Sequence, residues 1–83
     1  MGVRVIELSP EVRRGYHIGF PEGFDHGFHV VTETMGNDEA IPHYEWCVER
    51  HGASGGAFLF TSHNCVFWFR DAAAAFEFKV RWA

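Results

Sequence analysis

Eighty-three residues with a formal net charge of −4 make one small domain, 1–83. Apolar residues at 47% and aromatic residues at 17% exclude a disordered chain and equip a small protein with a rich core. The mild negative charge argues against a protein that holds nucleic acid mainly by neutralising phosphates, and no apolar run approaches the roughly 20 residues of a membrane span.

The chain begins "MGVRVIELSPEVRRG", which lacks the basic-then-apolar layout of a signal peptide. Ile6 stands where a myristoylation signal needs Ser or Thr. Two cysteines, Cys47 and Cys65, frame no disulfide scaffold, so the expected location is a reducing cytoplasm. "VRVIEL" (3–8) is short and β-branched and predicts a strand. "SPEVRRG" reads as a turn, "YHIGF" (16–20) as a second strand, "PEGFDHG" as a loop, and "FHVVTET" (28–34) as a third strand.

"NDEAIPHYEWCVERHG" predicts a helix. Asn37 or Asp38 caps it, Gly52 ends it, and Pro42 sets the start of regular helix near Ile41. At about 100° per residue, Ala40, Ile41, Tyr44, Cys47, Val48 and His51 share the sheet-facing side, opposite Glu45 and Glu49. "GASGG" (52–56) is a flexible connection.

"FLFTSHNCVFWF" (58–69) predicts a hairpin turning at His63-Asn64. That turn sets Thr61 opposite Val66, Phe60 opposite Phe67, Leu59 opposite Trp68, and Phe58 opposite Phe69. Alternation then gathers four Phe on one face for a core, and Leu59, Thr61, Val66 and Trp68 on the other. The final segment, "DAAAAFEFKVRWA", carries both strand alternation and a cap followed by four alanines. The alanines favour a helix from Asp71 or Ala72 onward. Such a helix has two apolar stripes, Ala73-Phe76-Val80 and Phe78-Trp82, and must bury both or leave Trp82 for a partner.

Catalytic and metal chemistry find little support. His43, Cys47 and His51 recur every four residues, a spacing that drifts around a helix and places His43 at the edge of its apolar face. No Cys-x2-Cys pair completes a zinc site, and His63 and Cys65 supply only a turn. Cys47 and His51, one helical turn apart, are the nearest approach to a nucleophile and base, and "GASGG" lacks the lysine of a phosphate loop. The expectation is therefore no enzyme, no metal and no cofactor. An RNA-reading sheet would need exposed aromatics among basic residues, and the hairpin offers only Arg70. The residues without an evident burial partner are Leu59 and Trp68, flanked by Arg70, together with Trp82. These are the expected partner-binding residues.

"WCVERHG" (46–52), a hairpin and "FWFRDAAAAFEFKVRW" (67–82) resemble small uncharacterised proteins of tailed bacteriophages. Those proteins end in an F-x-F-R-D-x-x-x-A-x-x-F-K-x-R-W-like segment. The resemblance covers about half the chain, favours the helical reading of 72–82, and implies a protein that acts inside a bacterial host.

The expected fold is α+β: an antiparallel sheet of four or five strands with two helices packed on one face, in chain order β-β-β-α-β-β-α. The expected function is non-enzymatic protein binding, as a phage-type modulator or inhibitor of a host protein, with anti-defence activity as one form of it. The alternative is a nucleic-acid-binding module using sheet aromatics. A third reading is a self-associating virion protein or homodimer.

Overall fold

The computed structural model describes residues 4–8, 23–32, 38–62 and 65–83. Among them run β1 (Arg4–Glu7), β2 (His26–Val31), α1 (Ile41–His51), β3 (Phe58–Thr61), β4 (Val66–Phe69) and α2 (Ala72–Trp82). A 3-10 turn, Asp38–Ala40, leads into α1. The four strands form one antiparallel sheet in the order β1-β2-β4-β3, so the fold is α+β as expected. The strand expected at 16–20 and the turn at His63-Asn64 lie outside the described residues.

Because β4 runs antiparallel to both neighbours, β2 and β3 are parallel to each other. The segment containing α1 joins them, and β4 later fills the gap between them. The hairpin register is the expected one, with Phe58 on Phe69, Leu59 on Trp68, Phe60 on Phe67 and Thr61 on Val66. Alternation along β2 and β4 then sends Phe28, Val30, Phe67 and Phe69 to the side where both helices pack.

Phe78 of α2 is the centre of that core. Its ring lies 5.2 Å from Phe28, 5.3 Å from Phe67 and 5.2 Å from Phe69, centroid to centroid. Ala74 and Ala75 are buried beside it, and their small side chains let the helix approach the sheet. Each fully buried Phe contributes about 1.5–3 kcal/mol by leaving water. The C-terminal segment is thus a helix, and its alternating pattern yields to the preceding alanines and to the packing of Phe78.

The buried side of α1 differs from the expected one. His43, expected at the edge, is 5% exposed, whereas Ile41 is 47% exposed. Cys47 and Ala40 are buried as expected. Ala40, at the end of the 3-10 turn, is the residue that precedes the α-helix, and no side chain caps it. The buried side is centred on the i, i+4 pair His43 and Cys47, and Ile41, about 160° around the helix from His43, is left in solvent. Gly52 ends α1 with φ 87° and donates its N–H to the Val48 carbonyl at 2.8 Å.

The glycine-rich connection has a definite task. The Phe60 N–H donates to Ser54 Oγ at 3.0 Å, and the Gly55 N–H donates to the Phe58 carbonyl at 2.8 Å. This loop covers the outer edge of β3, a position where an exposed ladder would invite pairing with another chain.

Candidate functional site

The four expected partner-binding residues occupy three different settings. Trp68 corrects the expectation of an open reverse face: it is 1% exposed. Leu8, Phe24 and Val66 form a second apolar cluster with it, and Leu59 packs half-buried against that cluster. Gly27 is opposite Trp68 in the β2–β4 pairing. A Cβ at Gly27 would lie 2.7 Å from the indole, so the missing side chain is what lets the ring lie across the strand. The indole N–H donates to Thr61 Oγ1 at 3.1 Å, and that hydroxyl donates to the Val66 carbonyl at 3.3 Å. Trp68 is a fully satisfied core residue.

Arg70 is exposed but engaged. Its Nε donates to the Gly56 carbonyl at 3.0 Å, and its guanidinium stacks 4.1 Å above the Phe24 ring. It fastens the residues before β2 to the loop before β3. Trp82 is half-buried against the helix-side core, with its ring 4.1 Å from His43. The structure therefore does not bring Trp68, Leu59, Arg70 and Trp82 into one surface.

The largest apolar exposure among the described residues lies on the outer side of α2. Phe76 is 65% exposed and Val80 68% exposed, the two largest values among the exposed bulky apolar residues. They line an open groove with Trp46 and Arg50 of α1 and with Glu77 and Arg81 of α2. Arg50 spans the two helices: it is 3.4 Å from Glu77 and 5.0 Å over the Trp46 ring. Arg81 stacks 4.0 Å from the Trp82 ring. Its position gives the groove an apolar floor with a charged rim, the layout of a protein contact surface.

Sequence reasoning had both stripes of α2 in view and assigned the wrong one to solvent. The distinguishing signal is the small pair Ala74-Ala75. It lies on the same side as Phe78 and Trp82, and a helix approaches a sheet most closely where its side chains are smallest.

The sulfur and imidazole groups are placed for packing. Cys47 is fully buried, and burial pushes its thiol up to about 12, which keeps it protonated at neutral pH. Burial also raises the Cys65 thiol. Burial lowers the pKa of His43, an effect opposed in smaller part by the Ala40 backbone and reinforced by the nearby Arg81 charge. His43 Nδ1 and His51 Nε2 are buried without a hydrogen bond of good geometry. Among the described residues, no group of three or more His, Cys, Asp or Glu side chains is placed to hold a metal ion. No described helix is long and apolar enough to cross a membrane.

The chain matches no protein-family model, no curated protein and no solved structure.

Proposed function

We propose that this protein is a small non-enzymatic binding module whose contact surface is the outer face of α2. The observation that carries the reading is the exposed pair Phe76 and Val80, beside Trp46, Arg50 and Arg81. Bulky apolar residues left in water next to aromatic and arginine side chains are the composition of an interface anchor. The narrower form, a phage-encoded modulator of a host protein with anti-defence as one outcome, draws its support from the C-terminal resemblance.

The burial of the sheet aromatics favours this reading over nucleic-acid binding. Phe58, Phe67, Phe69 and Trp68 present no open ring on which a base could stack. Affinity capture from a bacterial lysate, with and without nuclease, tests the choice. A captured protein that survives nuclease and is lost with Phe76→Ala, while the variant melts like the wild type, is the expected result. Capture that vanishes with nuclease and falls steeply with salt would favour the nucleic-acid reading instead.

A further inference from the structure

Helix α2 is held to the rest of the fold at two levels. Its middle is anchored by Phe78, fully buried among Phe28, Phe67 and Phe69. Its last turn is anchored by Trp82, whose ring lies 4.1 Å from His43 and 6.3 Å from Trp46, both on α1. The second anchor holds two unmatched polar atoms. His43 Nδ1 and Trp82 Nε1 are both shut away from water, and neither makes a hydrogen bond of good geometry. The buried Trp68 indole, by contrast, has Thr61 to receive its N–H.

We propose that the His43–Trp82 contact is an acid-sensitive latch: a proton on the His43 imidazole frees the last turn of α2 from α1 while the rest of the fold stays closed. The surroundings of His43 are poor ones for a charge. β4 faces it with Phe67, and α2 faces it with Phe78, Trp82 and Arg81. Arg81 brings a like charge, and its guanidinium rests 4.0 Å from the Trp82 ring. On α1 itself, Cys47 is a buried neutral thiol, Tyr44 is turned to Phe58 and Phe60, and Glu45 and Glu49 are exposed. Glu77 and Lys79 of α2 are paired with Arg50 and Glu7. Glu39 of the 3-10 turn has an interaction of its own. Among the described residues, the Ala40 backbone is what favours a proton on His43, and burial outweighs it.

Lifting the last turn answers the charge locally. It gives water to the imidazolium and to the Trp82 N–H together, and it separates His43 from Arg81. Phe78 lies one turn earlier and stays in the core, and Lys79 stays on Glu7 at 3.0 Å. The break therefore falls beyond Lys79, at a helix end, where opening costs least. The turn that lifts carries Val80 and Arg81, part of the lining of the outer groove. Attraction between an imidazolium and an indole acts the other way, but this indole already carries the Arg81 guanidinium. The latch is closed above the ordinary histidine value of about 6.5 and opens as pH falls through it toward the lower folded value.

Fluorine NMR of the full chain labelled with fluorotryptophan tests the proposal. The chain has three tryptophans, and Trp46→Phe and Trp82→Phe assign their signals. Between about pH 7 and about pH 5 the Trp82 signal is expected to move toward its solvent-exposed position while the Trp68 signal holds. The ratio of open to latched forms rises by up to about tenfold per pH unit, the limit for a single proton. The His43 ring signals titrate over the same range, and His43→Gln and His43→Met, neutral at every pH, abolish the movement. A Trp82 signal that stays still, becomes more buried, or moves together with Trp68 overturns the proposal. So does a Trp82 transition that survives in either His43 variant. In the wild type alone, a transition at a pH where His43 does not titrate overturns it as well.

Discussion

The two faces of β4 are both buried, but they achieve it differently. On the helix side, Phe28, Phe67 and Phe69 surround Phe78, and ring after ring touches several others. On the reverse side, one indole is clamped among Leu8, Phe24 and Val66, with Gly27 beneath it and Thr61 holding its N–H. The first face is many contacts shared among similar residues. The second depends on one large side chain and on the absence of a side chain opposite it. A strand buried on both faces, as β4 is throughout, has no tolerant side.

Phe67→Ala and Trp68→Ala, one from each face, should each cost about 3–5 kcal/mol. A domain of this size holds about 5–10 kcal/mol in total, so either change brings it to the margin of folding. Denaturant melts measure both losses. A Trp68→Ala variant nearly as stable as the wild type would mean that the reverse face is a loose cover and not a second core.

Gly27→Ala probes the clamp from below. The indole is rigid and buried, and a methyl group at 2.7 Å must displace it, so the expected cost is about 1–3 kcal/mol. An unchanged denaturant midpoint would show that Trp68 can leave β2 without loss. Ala at Gly56, where the nearest atom is 3.7 Å away, is the control with room for the methyl group.

The smallest expected effect concerns acid. Burial lowers the pKa of His43 on the helix side and of half-buried His29 on β2. An unfolded histidine takes up its proton near its ordinary value of about 6.5, while the folded forms resist. The contribution of these neutral imidazoles is therefore full above that value. It is lost as pH falls through it toward the lower folded pKa. Melting temperature should decline from about pH 7 to about pH 5, and the decline should be shallower in His43→Gln. Equal slopes in variant and wild type would assign the acid sensitivity to other groups.

Much of this architecture can be read from the residues. The hairpin register follows from the turn expected at His63-Asn64 and strict alternation, and the helical end follows from Asp71 and the alanines after it. The phase of α1 does not, because packing sets it: the His43 ring lies against Phe67, Phe78 and Trp82, and Ile41 stays in solvent. Trp68 is harder still. Its burial depends on Leu8 and Phe24, far away in sequence, and on a glycine whose role appears only once β2 lies beside β4. The candidate surface was half legible: two stripes on α2 were plain, but choosing the solvent side required knowing how closely Ala74 and Ala75 approach the sheet.

The strand order has a consequence for how the chain is made. β2 and β3 both pair with β4 and not with each other. β4 is the last of the four strands to leave the ribosome. Until it does, β1 and β2 form a two-stranded ribbon, marginal by itself in water, and β3 has no neighbour. Phe78, the centre of the larger core, follows later still. Folding is therefore held back until nearly all the described elements have been synthesised, and the final strand inserts between two already waiting. An arrest of translation before residue 65 leaves a chain with no sheet to close, a ready substrate for chaperones and proteases.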